Sequence, residues 1–236
     1  MRKEIVINKT FCGPTESGQG GYVSGLLGGF IEGSSEVTLR VPPPLNQTLE
    51  IDMSDKDLIK LLNGDTIVAQ AIPSKVEFNI PKPPTYEEAI AASESYIGFK
   101  QHAFPKCFVC GPERLEGDGL RIFPGQISGK DLVAAPWIPY KSLADENGNV
   151  KNEFIWAALD CAGGFAAIIS KLRLIVLGKL AVSIEHDIQI NKKYIVIGWP
   201  IMIEGRKLLA GTAIFTESGK LCAKAKATWI DLNVGK

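Results

Sequence analysis

A chain of 236 residues accommodates one large domain or two small ones. Its 45% hydrophobic and 22% charged residues match an ordinary globular protein and exclude general disorder. Lys plus Arg and Asp plus Glu number 26 each, so the formal net charge is zero, without the positive excess typical of nucleic-acid or polybasic membrane binders. Five cysteines, at 12, 107, 110, 161 and 222, are odd in number and scattered, and the opening Met1-Arg-Lys-Glu-Ile-Val-Ile-Asn lacks the apolar run of an export signal. A reduced, cytoplasmic protein is expected. The uncharged stretches 17–31 and 161–170 fall short of the roughly 20 residues of a membrane span, and extending the second back to 154 places Asp160 inside it. No membrane partner is expected.

In chain order, a short strand is expected over Glu4 to Ile7, followed by the uncharged segment Ser17 to Ile31, which reads as a buried helix. Strand candidates follow over Val37 to Val41, Thr48 to Met53, Asp57 to Leu62 and Thr66 to Ile72, with turn chemistry at Asn63-Gly64-Asp65. A linker over 73–105 contains Pro81, Pro83 and Pro84, then Thr85-Tyr-Glu-Glu, a capping-box signature that predicts a helix to about Tyr96 crossing between the two halves. Glu153 to Ser170 is apolar on all sides, as in a helix wrapped by other structure. Four strands are expected to follow. The first, Ala181 to Ile190, turns Val182, Ile184, Ile188 and Ile190 inward; the others cover Tyr194 to Ile203, Arg206 to Phe215 and Leu221 to Leu232. The last separates Leu221, Ala223, Ala225, Ala227 and Trp229 from Lys220, Lys224 and Lys226 by period two. Each half thus writes a buried helix before a meander, two copies of one unit: 1–80 and 106–236, joined by a linker over 81–105.

A long apolar helix laid against a curved antiparallel sheet, written twice in one chain, resembles the double hotdog arrangement of hotdog-fold thioesterases. Phe-Val-Cys-Gly-Pro-Glu at 108–113 with Gly-Leu-Arg-Ile at 119–122 is similar to the Cys-Gly-x-x-Asn-Pro-x-Gly-Leu opening of many acyl-CoA thioesterase-like proteins, with Arg-Leu in place of Asn-Pro. Ala-Ala-Leu-Asp-Cys-Ala-Gly-Gly-Phe-Ala-Ala at 157–167 is similar to that family's central helix, which carries an acid at this point. The resemblance implies an α+β tandem double hotdog, each half a helix wrapped by a curved antiparallel sheet. It further implies hydrolysis of an acyl-CoA to a free acid and coenzyme A at the interface of the halves, with no cofactor, in a monomer that is already a pseudo-dimer, with further pairing into a homodimer left open.

Asp160 is the only charge between Glu153 and Lys171. Burying a carboxylate costs several kcal/mol unless donors or a cation compensate, so Asp160 is either tightly paired for structure or kept for chemistry. Residues 17–31 contain six glycines, each costing up to about 1 kcal/mol in a helix relative to alanine, so close backbone approach has to offset them. Gln19-Gly20-Gly21 sits where that helix begins, and free N–H groups there attract the negative charge that a thioester carbonyl acquires when attacked. In the resembled family this place commonly holds His-Gly-Gly; here Gln19 replaces the histidine. Gly25, Gly28 and Gly29 are expected to serve helix packing. Counting nine residues from Gln19 reaches Gly28, with no acid, and nine back from Asp160 reaches Lys151, followed by Asn152-Glu153 in place of Gly-Gly. Each half has lost one part, so one site is expected: Gln19, Gly20 and Gly21 from the first half, Asp160 from the second. Tyr22 and Ser24, one turn on, either line the acyl cavity or simply pack. Lys224 and Lys226 either meet nucleotide phosphates or form a solvated strand face. A hotdog that binds an acyl-CoA or small apolar ligand without turnover is the alternative.

Cys107-x-x-Cys110, with His102 nearby and Cys12 as a conceivable fourth ligand, is a single pair where structural zinc favours two, so no metal site is expected. Cys161 adjoins Asp160, but sequence neighbours on a helix point apart. His186 alternates with apolar residues and is expected on a strand, in a core or interface. Gly18-x-Gly20 with Val23 does not complete a dinucleotide fingerprint.

Overall fold

The computed structural model describes residues 1–233. The first half contains β1 (Arg2–Val6), α1 (Gly20–Gly28), β2 (Ser35–Leu39), β3 (Thr48–Asp55), β4 (Leu58–Asn63) and β5 (Thr66–Pro73). After α2 (Tyr86–Glu94) come β6 (Gly125–Gln126), β7 (Val133–Trp137), α3 (Asn152–Ala167), β8 (Ile175–Ile184), β9 (Tyr194–Glu204), β10 (Lys207–Thr216) and β11 (Leu221–Asp231). The strands form one sheet in the order β1-β3-β4-β5-β2-β8-β11-β10-β9-β7-β6. The first five mirror β7-β9-β10-β11-β8, so the halves share a topology and meet edge to edge at β2 and β8. That seam is an antiparallel ladder from Ser35↔Val182 to Thr38↔Lys179, with Lys179 Nζ 2.7 Å from Glu36 Oε1 across it.

The sheet wraps α1 and α3, which pack against each other. Glycine sets their approach: a Cβ at Gly25 would lie 2.5 Å from Glu153 Cα, and one at Gly21 2.7 Å from Trp156 O. Val23, Leu27, Ala157, Ala158 and Leu159 are fully buried, so neither helix presents a wet stripe, as expected of helices enclosed on every side. No helix among the described residues is long and apolar enough to cross a membrane.

The capping box at Thr85 forms as expected: Thr85 Oγ1 accepts from Glu88 N–H at 3.1 Å and Glu88 Oε2 accepts from Thr85 N–H at 2.7 Å. Instead of crossing between halves, α2 packs on β6, β7 and β9 of the second half. Tyr86 and Ala89 cover Ile195, Ile197, Trp199, Ala213 and Phe215 on the outer face of the sheet, which is apolar there and needs a lid.

The strand expected over Ala181 to Ile190 is displaced. β8 starts at Ile175 and ends at Ile184, which is 39% exposed, while Ile188 is buried beyond the strand where its carbonyl accepts from Val150 N–H at 2.7 Å. The alternation that pointed to one strand therefore joins two environments, the sheet and the loop before α3, and His186 lies exposed between them. The short β6 and β7 were not expected. Pro136 sits in β7, whose neighbour β6 is only two residues long, so the proline costs few ladder bonds.

Candidate active site

The start of α1 is built on Asp160. Gln19 is the N-cap, with extended backbone (φ −63°, ψ 126°), and its Oε1 accepts from Tyr22 N–H at 2.6 Å. Its Nε2 donates across the helix pair to Asp160 Oδ2, and Gly21 N–H donates to the same oxygen at 2.8 Å. The approach requires glycine at 21, since a Cβ there would lie 2.6 Å from Asp160 Cβ. The four expected residues Gln19, Gly20, Gly21 and Asp160 therefore come together, 139 or more residues apart in sequence for the two hydrogen-bonded pairs.

Asp160 is 2% exposed, and burial pushes its carboxyl up to about 8 against the opposing Gly21 amide; Cys107 adds to the rise and Gln19 Nε2 opposes it. Oδ2 carries both hydrogen bonds. Oδ1 is buried with no partner among the described residues, an arrangement that natural structures keep where the oxygen has work to do or meets a bound molecule.

Asp160, Gln19 and Gly20 lie on the wall of a cavity of about 700 Å³. Leu39, Phe165, Leu177 and Trp229 supply apolar lining, while Arg40, Arg173 and Arg206 supply charge. Arg40 and Arg206 are exposed, whereas Arg173 is bound to Asp231 at 2.8 Å. No sequence pattern marks these arginines; they sit on separate segments that only the fold unites.

The four candidate substrate-binding residues are elsewhere. Tyr22 stacks on Phe11 at 4.2 Å between centroids and faces Phe108 and Phe154, and burial raises its phenol far above the ordinary range. Ser24 is fully buried. Both side chains turn from the cavity because successive helix positions rotate by about 100°. Lys224 pairs with Glu185 at 3.1 Å and Lys226 is exposed. Neither is among the residues lining the cavity, which meets β11 only at its Trp229–Ile230 end.

At the twin position, the ring of Trp156 occupies the space beside Gly28, and Asn152 Nδ2 donates to Gly25 O at 2.6 Å. A smaller cavity of about 260 Å³ there is lined by Gly28, Asn152 and Trp156, with no acid among its lining residues. The packing role expected for Gly25 and Gly28 holds, whereas at Gly29 a Cβ would meet Asn152 Nδ2 at 3.1 Å and Gly25 O at 3.4 Å, with nothing nearer.

Next to Asp160 the fold gathers three thiols. Cys107 Sγ is 3.8 Å from Cys161 Sγ, and the sulfurs of Cys107, Cys110 and Cys161 lie within 4.8 Å of one another. His102 Nε2 is 3.4 Å from Cys110 Sγ, and its Nδ1 accepts from Phe104 N–H at 2.9 Å. Cys12 is not in the group; its thiol donates to Lys106 O at 3.3 Å. Sequence spacing missed Cys161 because it lies 54 residues from Cys107.

No protein-family model matches the chain, and no curated protein matches it. Solved structures do. A tesB protein from Mycobacterium avium subs paratuberculosis superposes with a TM-score of 0.62 at 13% identity, covering 98% of this chain and 92% of that one. A protein from Thermobifida fusca YX, provisionally named thioesterase II, gives 0.61 at 10% identity over 98% and 94%. A third, provisionally named a thioesterase, from Novosphingobium aromaticivorans DSM 12444, gives 0.60 at 11% identity over 97% and 94%. The chain therefore has the α+β double-hotdog fold of thioesterase II-type structures. At these identities the likeness establishes the fold, and the chemistry has to be argued from the site.

Proposed function

We propose that the chain is an acyl-CoA thioesterase-like hydrolase with one composite site, formed by the start of α1 in the first half and Asp160 of α3 in the second. The observation that carries this is the Asp160 carboxylate: Oδ2 is anchored by Gln19 and Gly21, while buried Oδ1 has no partner on the wall of a cavity large enough for an acyl group. A fixed carboxyl with one uncommitted oxygen, ionised as pH rises through about 8, suits a general base toward water or a nucleophile toward the acyl carbon, and a positioned base contributes roughly 10²–10⁴-fold. Gln19 is a positioning residue. The expected oxyanion pair divides: Gly21 N–H is committed to Asp160, which leaves Gly20 N–H to polarise the thioester carbonyl. Exposed Arg40 and Arg206 at the cavity suit the nucleotide phosphates of coenzyme A, the role first considered for Lys224 and Lys226.

Thiol release from acyl-CoAs of graded chain length tests the proposal. Turnover of at least one by the wild type, lost in Asp160→Asn with unchanged circular dichroism, is expected; equal turnover by the variant contradicts it. The commitment of Gly21 N–H to Asp160 favours one second reading, a cavity that binds acyl-CoA without turnover. Saturable thermal stabilisation by acyl-CoA with no thiol released across the panel distinguishes that outcome.

A further inference from the structure

We infer that Cys107, Cys110 and Cys161 form a binding site for one thiophilic divalent cation of the zinc class, with His102 supporting the Cys110 thiolate. The site adjoins Asp160 on the same cavity wall, is argued without reference to the thioester chemistry, and revises the expectation of no metal.

Geometry is the first argument. Four-coordinate zinc bound to thiolate at about 2.3 Å separates neighbouring sulfurs by about 3.8 Å in a tetrahedron. Cys107 and Cys161 stand 3.8 Å apart, and Cys110 completes a triangle with every side within 4.8 Å. All three sulfurs are buried in reduced form. Three soft donors and no oxygen suit zinc over magnesium or calcium, which select oxygen ligands.

The loop is the second argument. Cys107 and Cys110 lie in 101–124, a stretch with neither helix nor strand that nevertheless buries Phe108, Val109, Leu120 and Ile122. Loops beyond about 12–15 residues without regular structure are uncommon in compact domains. Gly111 N–H donates to Cys107 O at 2.9 Å, closing a tight turn that aims both sulfurs one way. Cys161 projects toward them from rigid α3. A cation there fastens the loop to the central helix. On binding, the three thiols lose their protons to solvent as three metal–sulfur bonds form.

The hydrogen bond at His102 fixes its part. Because Nδ1 accepts from Phe104 N–H, the proton of the neutral ring is on Nε2, which faces Cys110 Sγ at 3.4 Å and donates to it. His102 is then an outer-shell donor to a ligand. The fourth coordination position opens toward the cavity, whose wall includes all three cysteines.

The test uses the full chain purified without chelator. Elemental analysis is expected to find about one zinc per chain, and cobalt added to chelator-treated protein to give intense thiolate-to-cobalt absorption. Cys107→Ser, Cys110→Ser and Cys161→Ser should each abolish that absorption, while Cys12→Ser and Cys222→Ser keep it. His102→Ala should retain the stoichiometry with about 10–100-fold weaker affinity. As a check free of folding defects in the variants, chelation of wild-type protein should lower its melting temperature, and zinc should restore it. Absence of both zinc and cobalt absorption, a disulfide between any two of the three, or equal metal binding by Cys161→Ser overturns the site. Complete loss of binding in His102→Ala overturns the role given to that residue. None of these measurements involves a thioester, so their outcome is separate from that of the hydrolase proposal.

Discussion

Replacing Gly21 with alanine should destabilise the protein, although the exchange favours a helix in isolation. The added methyl would sit 2.6 Å from Asp160 Cβ, 2.7 Å from Trp156 O and 3.0 Å from Ala157 Cα, two of them backbone atoms of a helix held on every side. Three contacts of 3.0 Å or less place the cost in the upper part of the range for overpacking, about 2–3 kcal/mol. Helix propensity returns up to about 1 kcal/mol, so the net loss is on the order of 1–2 kcal/mol. At 2–4 °C per kcal/mol for a chain of this size, the melting temperature should fall by roughly 2–8 °C. Separating the helices also lengthens the Gly21 N–H to Asp160 bond, so kcat/KM should drop beyond what stability explains. Gly29→Ala is the control: Gly29 is exposed, a Cβ there would meet Asn152 Nδ2 at 3.1 Å and Gly25 O at 3.4 Å with nothing nearer, and its change should stay within about 0.5 kcal/mol. Calorimetry on the two variants decides the matter. A higher melting temperature for Gly21→Ala, as propensity alone requires, would refute the reasoning from helix contact.

Thr85→Ala removes one arm of the α2 capping box and should cost about 1 kcal/mol in chemical denaturation while leaving thioester turnover unchanged, since α2 lies on the outer face of the sheet. Arg173 beside Asp231, together with the Asn233 amide, holds the Asp231 carboxyl below its ordinary range. A lowered folded-state value means that the contribution to stability is present above the unfolded-state value and lost as pH falls through the folded one. Asp231→Asn should therefore lower the melting temperature at neutral pH and shrink the difference from wild type under acid conditions; a difference that grows in acid contradicts the pairing. Arg40→Ala and Arg206→Ala should raise KM for acyl-CoA with little change in kcat, and the effect should fade with added salt; unchanged KM in both would remove phosphate recognition from these residues.

Periodicity made the helices and most strands legible because burial on two faces and on one face leave different spacings. The run around Leu159 and the alternation of Ala223, Ala225 and Ala227 are local facts, and the structure keeps them. The path after Ile184 is set by tertiary contact: Ile188 is buried through the loop before α3, so its spacing imitated a strand. That Gln19, Gly20 and Gly21 would share a site with Asp160 was readable from the lone acid in an apolar helix, the glycine-rich helix start and the part missing from each half; the hydrogen bonds from Gln19 and Gly21 to Asp160 Oδ2 emerge only in the fold. Helix rotation turned Tyr22 and Ser24 from the cavity, and Lys224 and Lys226 lie further along β11 than the Trp229–Ile230 end that lines it. Arg40, Arg173 and Arg206, like the meeting of Cys161 with Cys107 and Cys110, depend on segments brought together only by the folded chain.

The central claim is that Asp160 and the start of α1 act as one unit across the two halves. A double-mutant cycle on kcat/KM with Gln19→Ala, Asp160→Asn and the combined variant measures it directly. Asp160→Asn alone should cost at least about 10²-fold, and adding Gln19→Ala should cost little more, because the amide acts through the carboxylate. Fully additive losses, or near wild-type turnover with asparagine at 160, would contradict a composite site.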